Sequence, residues 1–91
     1  MQVSTEGSRL VFTGELDEVS IELARESLDS ATSAGPVELD LSGLTHLASI
    51  GISLLVATLR RVGGDGLEVL ARHGSAADQV LDMYRIPHRS T

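Results

Sequence analysis

The segment VELDLSGLTHLASIGISLLVATLRRV, residues Val37 to Val62, decides the fold of this chain. Its first five residues alternate Val37, Leu39 and Leu41 against Glu38 and Asp40, the period-two pattern of a strand with one buried face. Ser42-Gly43 reads as a turn, and Leu44 and Leu47 are placed to tuck the connection onto the core. Ser49 is then expected to cap a helix over Ile50 to Val62, with a core stripe of Ile52, Leu55, Val56 and Leu59. Arg60 and Arg61 in its last turn complement the helix dipole, and Gly63-Gly64-Asp65-Gly66 ends it.

Working outward, Met1 to Glu6 is weakly patterned and reads as a ragged edge strand. Gly7-Ser8 reads as a turn, and Arg9 to Thr13 as a second strand carrying Leu10, Val11 and Phe12. Asp17 is the expected N-cap of a helix from Glu18 to Ala34, with Ile21, Ala24, Leu28 and Ala31 on its buried stripe and Gly35-Pro36 as its stop. Leu67 to Ala71 is a further strand, with Leu67, Val69 and Ala71 on one face and Glu68 and Leu70 on the other. Ser75-Ala76-Ala77-Asp78 resembles a capping box before a third helix, whose core face is Ala77, Val80, Leu81 and Tyr84 and which Pro87 closes. The ends are expected to be disordered. The order β-β-α-β-α-β-α implies an α/β domain: a mixed central sheet with parallel inner pairs and helices packed on it.

Bulk properties narrow the function. Ninety-one residues make one small domain, and with 42% hydrophobic but 2% aromatic residues its core is built from Leu, Val, Ile and Ala. The absence of cysteine excludes disulfides, thiolate metal sites and Cys nucleophiles, and fits a reducing, cytoplasmic setting. There is no secretory signal pattern, and no apolar run approaches the ~20 residues of a membrane span, so no membrane role is expected. The formal charge is −6, and the seven basic residues, all Arg, form no stripe. Direct nucleic-acid binding is therefore not expected, whereas an acidic surface suits solubility or a basic protein partner.

Catalysis is not expected either. A nucleophilic Ser49 needs a base and an orienting group, and only His46 is near in sequence; no Gly-x-Ser-x-Gly elbow is present. His46, His73 and His88 have no metal-ligand spacing, and each reads as a surface or loop histidine. The Gly63 to Gly66 run lacks the Gly-Lys-Ser/Thr ending of a phosphate-binding loop. No cofactor is implied.

Binding is better supported. Ile50, Leu54 and Ala57 form a second apolar set beside the core stripe, with Ser53 next to them. Two explanations stand: the helix is buried more widely beneath a neighbour, or these residues form a docking surface around its N-terminus. Ser49 is similarly double. As a cap it contributes ~1 kcal/mol. As a phosphosite it gains roughly −1.5 to −2 charge. A partner pressed on Ile50, Ser53 and Leu54 cannot easily desolvate that charge.

Several motifs resemble those of STAS domains, the bacterial anti-sigma factor antagonist family. They are Gly14-Glu15-Leu16-Asp17, then Leu39-Asp40-Leu41-Ser42-Gly43-Leu44, then Ala48-Ser49-Ile50-Gly51. The likeness covers nearly the whole chain. It implies the STAS fold over residues 1–91, either free-standing or as the terminal domain of a longer regulatory protein. It places Ser49 on the family's phosphorylated serine and Gly51 on its helix-opening glycine. The family's acidic residue before the serine is Ala48 here, a departure that bears on the efficiency of phosphorylation. Family members usually continue into another strand and a final helix, whereas this chain stops soon after Ile86-Pro87.

The implied mechanism is partner switching. The unmodified domain binds an anti-sigma serine kinase of the GHKL type and frees a sigma factor. Phosphorylation at Ser49 breaks that complex, and a PP2C-type phosphatase restores it. Ile50, Ser53, Leu54 and Ala57 would make the contact surface, with Asp17, Thr45 and His46 near the site. The alternative is an unphosphorylated STAS scaffold or a sensor of a small ligand, nucleotide or lipid, with Ser49 only a cap.

Overall fold

A computed structural model describes all residues from Met1 to Thr91. The first two strands, β1 (Gln2–Glu6) and β2 (Arg9–Leu16), form an antiparallel hairpin whose turn places Gly7 at φ 63°. The chain then alternates through α1 (Ile21–Ser33), β3 (Val37–Leu47), α2 (Ser49–Val62), β4 (Leu67–Ala71), α3 (Ala76–Met83) and β5 (Arg89–Ser90). The sheet order is β1-β2-β3-β4-β5, and β2 through β5 pair in parallel. The expected β-β-α-β-α-β-α order and mixed sheet are present, with β5 added at the end.

Sequential parallel strands joined by right-handed crossovers put every connecting helix on the same face of the sheet. The core therefore lies between one sheet face and three helices. Leu10 and Phe12 of β2, Val37, Leu39 and Leu41 of β3, and Leu67, Val69 and Ala71 of β4 meet Ala24, Leu28, Leu55 and Leu81 of the helices there. The opposite face carries charge. Arg9 pairs with Glu38 at 2.5 Å and Asp40 at 3.5 Å, and Arg89 lies 3.7 Å from Glu38 and 3.5 Å from Glu68. Leu70 alternates away from Val69 and Ala71 yet is also buried, outside the contiguous core.

Several boundaries differ from the expectation for physical reasons. Helix α1 begins at Ile21 rather than Glu18, because Asp17 Oδ1 accepts from the amides of Val19 at 3.0 Å and Ser20 at 3.3 Å and so caps a turn instead of the helix. Ser42-Gly43 is not a turn; β3 runs on to Leu47, and its pairing with β2 shifts register between Val11 and Thr13 and again between Gly14 and Glu15. Asp40 Oδ1 accepts from the Ser42 amide at 2.9 Å, and a Cβ on Gly43 would stand 2.8 Å from Thr13 Cγ2. The Asp-Leu-Ser-Gly run is thus the sequence of an irregular central strand. Helix α3 stops at Met83, so Tyr84 is exposed rather than part of the core. The C-terminus is ordered as β5, against the expectation of disorder.

Candidate functional site

The start of α2 sits at one end of the sheet. Leu16 and Leu47 are paired across β2 and β3 in the last rung of that ladder. Asp17 follows Leu16 by one residue, and Ser49 follows Leu47 by two, so the topology brings both to the same sheet end. The Ala48 amide donates to Leu16 O at 2.9 Å and fixes the approach of the helix. Gly51 completes it: a Cβ there would lie 2.9 Å from both Leu16 Cγ and Leu47 Cδ1. Only a glycine lets the first turn press this closely onto the two leucines.

Ser49 is not the cap expected from the sequence. The cap position is Ala48, extended at φ −79° and ψ 163°, whose carbonyl accepts from Gly51 N at 2.9 Å and Ile52 N at 3.2 Å. Ser49 is the first helical residue; it is exposed, and its hydroxyl makes no capping bond. First-turn amides of a helix lack intrahelical acceptors and favour negative charge nearby. Ser49 is therefore a free hydroxyl beside a weakly positive helix end.

Beyond Ser49, the outward face of α2 carries Ile50 (38% exposed), Ser53 and Ala57. Leu54 does not join them. It is 7% exposed and belongs to the core cluster, and α2 packs against α1 as well as the sheet. Wider burial thus accounts for Leu54, and an outward surface remains at the other three positions. Thr45 and His46 are exposed near the end of strand β3 rather than on a loop, and Thr45 Oγ1 donates to Gly14 O at 3.1 Å. Asp17 spends its Oδ1 on its own turn. Burial acts to raise its pKa, but hydrogen bonds from Ser20 and Val19, with the N-terminal amino group, bring it below the ordinary carboxylate value.

Sequence reasoning missed Val19. It is 94% exposed, the most open large apolar side chain, in the loop between Asp17 and α1. Its signal is plain in retrospect: one Val among Asp17, Glu18 and Ser20, where a loop needs none. Glu15, Asp17, Glu18 and Glu22 make this sheet end acidic, with Arg25 paired to Glu22.

A groove of about 650 Å³ lies between the β1–β2 turn and α1, where β2 and β3 begin, at the opposite end of the sheet. His46 makes no hydrogen bond to Ser49. Elsewhere, ligand atoms of Asp78, Asp82 and His88 converge within 4.8 Å. Those of Asp78 and His88 are already engaged. His88 Nδ1 lies 2.8 Å from Ile86 O and Nε2 2.8 Å from Asp78 Oδ1, while Asp78 also accepts from Gly74 N and Ser90 Oγ. The cluster is a hydrogen-bonded structural knot. His88 lies on the loop before β5, as expected for that residue, but its side chain is only 5% exposed and turned onto Asp78 rather than open to solvent. No helix is long and apolar enough to cross a membrane.

Known proteins share this architecture. Over 99% of its length the chain superposes on 84% of the crystal structure of an anti-sigma factor antagonist from Mycobacterium paratuberculosis, with a TM-score of 0.80 and 25% sequence identity. A family profile described as "Mlab, STAS domain" matches residues 1–87. With that match over almost its whole length, on a fold with an exposed serine at the start of α2, the chain belongs to the STAS domain family.

Proposed function

We propose that this domain is an anti-sigma factor antagonist, binding an anti-sigma serine kinase of the GHKL type through the start of α2 and switched by phosphorylation at Ser49. One observation carries the proposal. Ser49 is exposed, uncommitted to capping, and adjoins an outward row of Ile50, Ser53 and Ala57. A serine that held the helix cap would lose that bond on modification; this one has none to lose. Phosphorylation adds roughly −1.5 to −2 charge. The helix end tolerates that charge, while a partner seated on Ile50 has to strip water from it. Binding ends and the fold persists. A PP2C-type phosphatase reverses the step. The acidic rim of Glu15, Asp17 and Glu18 matches a basic partner face. The likeness to a solved anti-sigma factor antagonist supports the same role.

The test is intact mass after incubation with ATP and each anti-sigma kinase of the source cell. The expected result is one added phosphoryl group, absent from Ser49→Ala, together with loss of kinase binding by the modified protein. Kinase binding without modification would make the domain an antagonist lacking this switch and overturn the role given to Ser49. Neither binding nor modification would overturn the proposal in favour of a scaffold or ligand-sensing role.

A further inference from the structure

We propose that the last residues of the chain form a pH-sensitive clasp, in which the imidazolium of His88 on the Asp78 carboxylate holds β5 against the edge of β4. Strand β5 has two residues, paired as Leu70 with Arg89 and Ala71 with Ser90. Two more backbone bonds extend it, Thr91 N to Ala71 O at 2.8 Å and His73 N to Thr91 O at 3.1 Å. So short a strand has little stability of its own. Ile86 anchors the segment's start in the core, and beyond it the anchor is the buried polar knot at α3. Asp78 gathers His88 Nε2 at 2.8 Å, Ser90 Oγ at 2.7 Å and the Gly74 amide at 2.9 Å, and so ties both sides of β5 to the start of α3.

The arrangement needs the charged ring. Both nitrogens of His88 face acceptor oxygens, of Ile86 and Asp78. Either neutral tautomer turns a lone pair on one of them. The surrounding charges agree. Asp82 Oδ1 lies 3.5 Å from Nε2, and Glu68 of β4 stands nearby but is engaged by Arg89. His73 Nδ1 lies 3.9 Å from the other oxygen of Asp78, with its side chain exposed. Burial lowers the His88 pKa, but the Ile86 carbonyl, Asp78 and Asp82 outweigh it, leaving a net rise above the ordinary 6.5. With the folded value raised, the clasp's contribution is full below pH 6.5 and fades as pH rises through the folded pKa. Its release uncovers the outer backbone edge of β4, a row of free donors and acceptors able to accept a strand.

The test is amide hydrogen exchange by NMR on the full chain from about pH 5 to about 8, where histidine titrates, with intrinsic exchange divided out. Protection of the Thr91 and His73 amides is expected to fall about tenfold for each unit separating the bound and free His88 pKa values, while amides of β3 hold. In His88→Gln the same two amides are expected to be weakly protected at every pH. Flat protection in the wild type, equal profiles in wild type and variant, or simultaneous loss in β3 would each overturn the clasp. Because the variant leaves Ile86 and the core untouched, it is expected to fold, and unchanged exchange in its β3 verifies that.

Discussion

Two serines at helix starts behave differently here. Ser75 is a true cap: it is extended at φ −70° and ψ 166°, and its Oγ accepts from Asp78 N at 3.2 Å. Ser49 lies one residue inside α2 and caps nothing. Ser75→Ala is therefore expected to cost about 0.5–2 kcal/mol. Ser49→Ala is expected to shift stability by less than about 0.5 kcal/mol. Urea denaturation of both variants checks this, and a loss at Ser49 as large as at Ser75 would return that residue to a capping role. The sequence shows a serine near the start of α2 but not which residue is the cap. That depends on the backbone dihedrals of Ala48, which are set by its bond to Leu16. The glycines are the reverse case: Gly43 and Gly51 were visible as motif letters, and their reason, the contacts with Thr13, Leu16 and Leu47, is entirely tertiary.

At the scale of elements, α2 has two buried directions. Its sheet-facing stripe was legible from spacing, and Ile52 and Leu55 are buried as expected. The second apolar set was ambiguous, since i, i+4 spacing cannot tell a neighbouring helix from a partner. The structure divides it: Leu54 turns into the core while Ile50 and Ala57 face outward. Leu54→Ala is expected to destabilise by about 2–5 kcal/mol, as a core truncation does. Ala57→Asp is expected to leave the melting temperature nearly unchanged while weakening kinase binding at least tenfold. Calorimetry beside a binding titration separates the two effects; intact binding by Ala57→Asp would remove that residue from the docking surface. Strand β3 shows a different limit. Ser42-Gly43 carries turn composition, yet pairing with β2 continues past it, because irregular register absorbs what would otherwise be a bend.

For the whole molecule, the clearest external variable is acid. Asp78 is held at a pKa of about 2 by hydrogen bonds from Ser90, Gly74 and His88. Asp40 is also lowered: burial opposes, but its bonds from Ser42 and the charge of Arg9 prevail. Asp17 is lowered in the same sense. A carboxylate with a depressed folded pKa stabilises above its ordinary value, here 3.8, and loses that contribution as pH falls through the folded value. The melting temperature is therefore expected to drop between about pH 4 and pH 2. The gap between wild type and Asp78→Asn is expected to narrow over the same interval. A gap that stays constant with pH would show that Asp78 acts through packing alone.

What the sequence determined by itself is the order of elements and the faces they bury. Alternation in β3 and β4, helical spacing in α1 and α2, and the Gly and Pro stops are local signals, and local sterics and burial enforce them wherever they occur. The motifs also located Ser49 at the start of α2. Tertiary structure decided what no local signal contains: that Leu54 is buried in the core, that Val19 stands open beside Asp17, that β3 runs through its Ser-Gly, and that His88 is buried on Asp78 to hold a fifth strand. Each depends on partners distant in the chain or on how a loop meets them. For these residues side-chain chemistry permits several environments, and only the packed sheet and helices select one.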